Sequence, residues 1–138
     1  MNIIFVDTWA WYALADTRDQ HHTIAQIAND ELLNKGYTFV TTSFVLSETL
    51  TMIRYNLGHT AAVQFWRQLQ ELIADELIEY VHVDEAVERL AWQIFEQYAD
   101  QDFSFTDCTS FAVMRQRKLT HVFTADHHFR TMGFMLTP

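Results

Sequence analysis

The sequence contains little of what disordered, fibrous or disulfide-bonded proteins are built from. Its 138 residues include 3 glycines, 1 proline and 1 cysteine, whereas 49% are hydrophobic. So few glycines and prolines exclude a disordered or collagen-like chain. The single Cys108 excludes an internal disulfide and a cysteine-ligated metal site, so we expect a reduced, cytoplasmic setting. The length predicts one domain, residues 1–138.

Positive charge is also scarce. Nine Lys and Arg residues against eighteen Asp and Glu residues give a formal net charge of −9 at pH 7. This balance excludes a protein that binds nucleic acid through a broad basic face, because phosphate contacts need Lys and Arg. The N-terminal apolar run, residues 3–6, is too short to span a membrane and lacks the basic residues of a signal peptide, so we expect no membrane association. An acidic excess does allow carboxylates to converge on a divalent cation.

Short apolar runs alternate with longer segments of helical periodicity along the chain. Five runs predict strands, namely residues 3–6, 37–41, 77–83, 121–124 and a short edge strand at 134–136. The remaining segments predict helices at 9–16, 19–34, 43–56 with Ser43 as N-cap, from Thr60 to about 73, after the N-cap Asp84, and from Thr106 to about 118. Alternating strands and helices predict an α/β sandwich with a parallel sheet flanked by helices.

Acidic side chains follow two of the predicted strands. Asp7 comes directly after the first strand, and Asp126 follows the fourth. The carboxyl ends of parallel strands share one edge of the sheet, which is where α/β proteins bind ligands. Each acid also has a structural explanation, since Asp7 can cap a helix and Asp126 can serve as a turn residue. Their shared location favours a functional role.

Two further acids lie in predicted helices. Glu48 falls on a helical stripe with Met52 and Tyr55. Asp107 lies in the first turn of its helix, in register with Phe111. An acid on an apolar stripe is costly to bury unless a cation pairs with it. A solvated helix position would also explain Glu48, and the helix dipole would explain Asp107.

Four carboxylates in one pocket repel one another. In the metal-free protein at least one of them is expected to have a raised pKa, and the set is expected to titrate as a coupled group. Oxygen ligands of this kind suit Mg²⁺ or Mn²⁺. Such ions orient an attacking water, lower its pKa and stabilise the leaving oxygen of a phosphodiester. The pattern therefore indicates metal-assisted phosphodiester hydrolysis at Asp7, Glu48, Asp107 and Asp126.

Each of the four acids lies in a short segment with a distinctive pattern. The segments are Phe5-Val6-Asp7-Thr8, Ser47-Glu48-Thr49, Ser104-Phe105-Thr106-Asp107-Cys108 and Thr124-Ala125-Asp126-His127-His128-Phe129. In this order they resemble the acidic motifs of the PIN-domain ribonucleases, in particular VapC-like toxins, and the resemblance spans residue 3 to about residue 134. It implies a PIN-like three-layer sandwich with a parallel sheet of four to five strands.

The resemblance also implies a function. It points to a Mg²⁺- or Mn²⁺-dependent endoribonuclease in which Asp7 and Asp107 bind the metal directly. Glu48 and Asp126 would complete the cluster, partly through water. VapC-like toxins are inhibited by a small antitoxin protein and are commonly homodimeric. We therefore expect an RNA substrate, an antitoxin partner and a homodimer.

Other residues are assigned supporting roles. Thr8 and Thr124 occupy places where the family often carries a hydroxyl or small polar residue. Arg115 and Arg130 belong to the few cations and are candidate contacts to RNA phosphate, although surface solubility explains each of them equally well. His127 stands where the family often has a basic residue. We expect His128 to pack against the loop after the fourth motif.

Two alternatives stay open at this point. One is a catalytically silent PIN-like binding module, against which the presence of all four acids argues. The other is a PIN nuclease of RNA processing that has no antitoxin, which the adjacent open reading frame would distinguish. A phospho-acceptor signalling domain is disfavoured because no lysine follows Asp126. The seven histidines lack the spacing of a zinc motif.

Overall fold

A computed structural model of the chain describes residues 2–138. Strands and helices alternate, as predicted, and most element boundaries agree with the predictions to within three residues. No helix in the described range has the length and apolarity needed to cross a membrane. The elements in chain order are β1 (Ile3–Val6), α1 (Thr8–Ala15), α2 (His22–Asn34), β2 (Thr38–Thr42), α3 (Ser43–Leu57), α4 (His59–Ala74), β3 (Ile78–Val81), α5 (Glu85–Gln97), α6 (Phe105–Gln116), β4 (His121–Phe123), α7 (His127–Thr131) and β5 (Met135–Thr137).

All five strands pair in parallel, in the order β3-β2-β1-β4-β5. The central strand β1 pairs Phe5 with Val40 of β2 and with Val122 of β4. Ile4, Phe5 and Val6 are all completely buried. Because successive side chains of a strand point to opposite faces, both faces of β1 are covered by helices. The predicted α/β fold with a parallel sheet flanked by helices is confirmed.

The order of the strands creates a crevice at the middle of the sheet. From β1 the sheet extends through β2 to β3 on one side and through β4 to β5 on the other. Where the connections that follow two adjacent strands lead to opposite sides of the sheet, the carboxyl ends of those strands border a ligand-binding crevice. Asp7 directly follows β1 and Thr124 directly follows β4. The fold therefore brings the first and fourth acidic motifs together.

Helix α6 is buried on all sides. Every residue in the range 107–114 is buried. At the middle of this range, the ring of Phe111 packs edge-on against Phe103 and Phe129, each with a centroid distance of 5.0 Å. A helix enclosed in this way cannot rotate or shift without opening the core. The position of Asp107, in its first turn, is therefore set by the packing of the whole helix.

The predicted N-cap of α3 is wrong by one residue, and α6, predicted to begin at Thr106, has its N-cap two residues earlier. The side chain of Thr42, not of Ser43, caps α3, accepting a hydrogen bond from the backbone nitrogen of Val45 at 3.1 Å. Helix α6 is capped by Ser104 and not by Thr106. In both cases two hydroxyl residues stand close together, and either is an acceptable cap in the sequence.

Replacing Phe111 with alanine is expected to destabilise the protein by about 3–5 kcal/mol, because the substitution removes a fully buried ring and leaves a cavity. Equilibrium denaturation in urea measures this loss. Tyr55→Ala, at a position 81% exposed, is the control and should change the free energy of unfolding by less than about 0.5 kcal/mol. Equal stabilities of the two variants would contradict the described packing.

Candidate active site

Asp7 is buried at the carboxyl end of the central strand, with 4% of its surface exposed. It occupies the N-cap position of α1, yet its side chain makes no capping hydrogen bond. Its Oδ2 atom instead accepts a hydrogen bond from the Thr124 hydroxyl, at 3.1 Å. A capping role therefore does not account for this carboxylate, which faces the end of β4.

The surroundings of Asp7 disfavour its charged form. Burial is the largest effect, and together with the negative charges of Asp107 and Asp126 it raises the pKa of Asp7 to about 7. Hydrogen bonds from Thr8 and Thr124 act in the opposite direction and are outweighed. The effect of Asp107 and Asp126 on this pKa indicates that the three Asp carboxylates lie near one another.

Asp107 is held by a capping box at the start of α6. The Ser104 backbone nitrogen donates to Asp107 Oδ2 at 3.1 Å, and the Asp107 backbone nitrogen donates to Ser104 Oγ at 2.9 Å. Burial raises the pKa of Asp107, the charge of Asp126 raises it further, and hydrogen bonds from Ser104 and His128 lower it. The carboxylate thus stabilises the helix terminus while it faces the other acids.

Asp126 is tied to Asp7 through one hydroxyl. The Asp126 backbone nitrogen donates to Thr124 Oγ1 at 3.1 Å, and the same hydroxyl donates to Asp7 Oδ2 at 3.1 Å. The Asp126 side chain caps α7, accepting a hydrogen bond from the His128 backbone nitrogen at 3.0 Å. Thr124, which is fully buried, therefore connects the two motifs at the strand ends.

Glu48 approaches the three Asp residues from α3. Burial raises the pKa of Glu48, and the charges of Asp107 and Asp126 raise it further, whereas a hydrogen bond from Thr8 lowers it. The Thr8 hydroxyl also lies 3.5 Å from the backbone oxygen of Val45, which joins α1 to α3. All four acids predicted from the sequence therefore come together at the crevice.

The apolar stripe predicted for Glu48 is wrong. Met52 and Tyr55 are 37% and 81% exposed. Glu48 lies at the border of the buried face of α3, with its carboxylate between the core and solvent. The buried face consists of Val45, Leu46, Thr49 and Ile53.

A groove of about 510 Å³ opens beside Glu48. Thr106 of α6 lines this groove, and the rest of its lining comes from α3, namely Ser43, Phe44, Ser47, Glu48, Thr51 and Met52. A second cavity, of about 270 Å³, lies among α1, α2 and α4, and its lining contains no titratable side chain. The groove therefore gives access to Glu48, the one of the four acids that lines it.

His128 is the site residue that the sequence reasoning missed. Its Nδ1 atom lies 3.2 Å from Asp107 Oδ2 and 3.4 Å from Asp126 Oδ1. The ring also packs against Phe103, so the packing role predicted for His128 describes only part of its contacts. Its closeness to Asp126 in the sequence was a weak signal, because the contact with Asp107 spans 21 residues of chain.

The two candidate phosphate-binding arginines lie in different places. Arg130 is exposed in the last turn of α7, the helix that Asp126 caps. Arg115 is exposed in the last turn of α6, eight residues after Asp107 and therefore about 12 Å further along the helix axis. Contact with RNA stays a prediction for both residues.

The donor set fits a divalent metal ion. The four carboxylates supply hard oxygen ligands, which Mg²⁺ and Mn²⁺ prefer. Their mutual repulsion, which contributes to the raised pKa values of Asp7, Glu48 and Asp107, is relieved when a cation lies among them. Asp7, Glu48, Asp107 and Asp126 are therefore the residues that would hold a divalent ion at the carboxyl edge of the sheet.

A family model described as PIN domain matches residues 4–135. The chain is 32% identical over 133 residues to the 23S rRNA-specific endonuclease VapC20 of Mycobacterium tuberculosis, an alignment that covers 96% of each chain. The crystal structure of that VapC20, described as a sarcin-ricin loop cleaving toxin, superposes with a TM-score of 0.85 and 31% identity, covering 98% of this chain and 99% of the other.

More distant solved structures share the fold. FitAcB from Neisseria gonorrhoeae superposes with a TM-score of 0.67 at 17% identity, covering 98% of this chain and 96% of the other. VapBC2 from Rickettsia felis, bound to a DNA fragment from its promoter, superposes with a TM-score of 0.68 at 14% identity, covering 97% of this chain and 96% of the other. At these identities the likeness concerns the fold alone.

In EDTA, the protein is expected to lose stability as the pH rises from about 4 to about 7. A native pKa of Asp7 near 7, above the unfolded value of 3.8, means that the native state binds more protons in this interval, so unfolding becomes easier as they leave. Asp7→Asn, which does not titrate, should flatten this loss. Urea denaturation at several pH values measures it.

The matched control is Asp100→Asn, which removes an exposed loop carboxylate and should keep the wild-type dependence on pH. A wild-type slope in the Asp7→Asn protein would contradict the raised pKa of Asp7.

Proposed function

The chain belongs to the PIN-domain family, and we propose that it is a divalent-metal-dependent endoribonuclease, the toxin of a VapC-type toxin–antitoxin pair. The family predicted from the four acidic motifs is confirmed by the match over residues 4–135. The observation that carries the catalytic assignment is the convergence of Asp7, Glu48, Asp107 and Asp126, whose charges act on one another at the sheet crevice.

We assign direct metal binding to Asp7 and Asp107, and we place Glu48 and Asp126 partly behind bound water. The metal is proposed to be Mg²⁺ or Mn²⁺, since all four ligands are carboxylates. When bound, such an ion supplies Lewis acidity to the phosphodiester and lowers the pKa of the attacking water. PIN-domain nucleases generally depend on divalent metals, and this chain has the residues that such dependence needs.

The remaining site residues position the carboxylates. Thr124 holds Asp7 Oδ2, and the backbone nitrogen of Ser104 holds Asp107 Oδ2, each at 3.1 Å. Thr124 and Ser104 stand at the ends of buried elements. The carboxylates of Asp7 and Asp107 therefore need little reorganisation when the substrate binds. Thr8 lies beside Glu48, where its hydroxyl lowers the pKa of the acid and so favours its charged form.

The substrate is proposed to be RNA that enters along the groove beside Glu48. Phe44 lies on this groove and offers an aromatic face against which an unstacked base can pack. The relative VapC20 is named for cleavage of 23S rRNA, so ribosomal RNA is the first substrate to test for this chain. Arg130 is the proposed phosphate contact nearest in sequence to the acids, and Arg115 would need RNA that extends along α6.

We propose a small antitoxin as the protein partner and a homodimer as the assembly, as the resemblance to VapC-like toxins implies. The presence of all four acids argues against a catalytically silent binding module. A PIN nuclease without an antitoxin would have the same site, and the adjacent open reading frame distinguishes the two. Action in the cytoplasm stays a prediction from the single cysteine.

Replacing Asp107 with asparagine is expected to reduce RNA cleavage by more than about 100-fold, since loss of a direct metal ligand should exceed the 10- to 100-fold cost of losing a supporting residue. Asparagine keeps an oxygen that can accept the Ser104 hydrogen bond, so the helix terminus should stay folded. The assay uses ribosomal RNA with added Mg²⁺ or Mn²⁺, and circular dichroism verifies the fold.

Asp102→Asn, at an exposed position before the third motif, is the control and should cleave at the wild-type rate. EDTA should abolish cleavage by the wild-type protein. Cleavage that survives EDTA, or full activity of the Asp107→Asn protein, would refute the assignment.

A further inference from the structure

An imidazole nitrogen lies among the carboxylates of the proposed metal centre. His128 Nδ1 is 3.2 Å from Asp107 Oδ2 and 3.4 Å from Asp126 Oδ1. Only 17% of the His128 side chain is exposed. The nitrogen therefore faces two of the four proposed metal ligands from within the site.

The His128 ring is held in this position from two sides. The buried ring of Phe103 packs edge-on against it, with a centroid distance of 5.2 Å and an interplanar angle of 79°. The backbone nitrogen of His128 donates to Asp126 Oδ1 at 3.0 Å, which fixes the main chain beneath the ring. The contact with Phe103 and the main-chain hydrogen bond thus restrain the position of the His128 ring beside the acids.

We propose that His128 is a metal ligand that makes the centre selective for Mn²⁺ over Mg²⁺, an inference that rests on the metal-dependent function proposed above. Neighbouring ligands on an octahedral ion with bonds of about 2.1 Å lie about 3 Å apart. The distance of 3.2 Å between Nδ1 and Oδ2 of Asp107, a proposed direct ligand, is close to this value. Imidazole is a common ligand of transition-metal ions, whereas Mg²⁺ strongly prefers oxygen.

The neighbouring His127 provides a matched comparison. The ligand atoms of Asp126, His127 and His128 lie within 4.8 Å of one another, so distance alone would admit either imidazole. The His127 side chain is 77% exposed, however, and its Nδ1 lies 4.0 Å from Asp126 Oδ1. Of these two histidines, both within the described residues 2–138, only His128 contacts Asp107 in addition to Asp126. His128, and not His127, is therefore assigned as the metal ligand.

Pulsed electron paramagnetic resonance of the Mn²⁺-loaded protein tests the proposal directly. Electron spin-echo modulation detects the nuclear spin of a nitrogen bonded to Mn²⁺, without reference to RNA cleavage. We expect nitrogen modulation in the wild-type and His127→Gln proteins and its loss in His128→Gln. If the His128→Gln protein does not fold, His128→Asn is the second variant. The comparison of the wild-type protein with His127→Gln requires neither of the two His128 variants.

Calorimetric titration with each ion alone measures the selectivity. His128→Gln should weaken Mn²⁺ binding by at least about 10-fold and Mg²⁺ binding by less than about 3-fold. Wild-type protein that binds Mn²⁺ without nitrogen modulation would show that His128 only supports the carboxylates by hydrogen bonding, and would overturn this inference alone. Wild-type protein that binds neither ion would also overturn the proposed metal dependence.

Discussion

Burial of carboxylates close to one another is the constraint on which the site depends. Burial of the strand that precedes Asp7 forces this acid into the crevice, where desolvation and neighbouring charges raise its pKa to about 7. The enclosed helix α6 holds Asp107 against the same space. Hydrophobic packing thus supplies the free energy that keeps like charges together, and a divalent cation is the natural means of relieving the strain.

Structural and functional explanations of these acids prove to be compatible. Asp107 completes a capping box and Asp126 caps α7, and both also face the other carboxylates. Asp7 differs, because its side chain caps nothing. The net charge of −9 likewise has two consequences for RNA binding. It excludes a broad basic RNA-binding face, while some of the acids responsible for it belong to the proposed metal centre, through which bound ions would contact phosphate.

The sequence predicts the fold and the convergence of the acids well, because both depend on local patterns. An apolar run followed at once by Asp7 defines a strand end, and alternating strands and helices make the sheet parallel. Tertiary contacts were harder to foresee. The buried face of α3 excludes Tyr55, since a helical pattern alone does not reveal which side meets the core. The His128 contact with Asp107 joins segments that only the folded chain brings together.

Anomalous diffraction from crystals soaked in Mn²⁺ tests whether the four acids form one metal centre. We expect an anomalous peak in the sheet crevice, bounded by Asp7, Glu48, Asp107 and Asp126, with carboxylate oxygens about 2 Å from the ion. Mn²⁺ peaks confined to other parts of the surface, with the crevice empty at saturating metal, would contradict it.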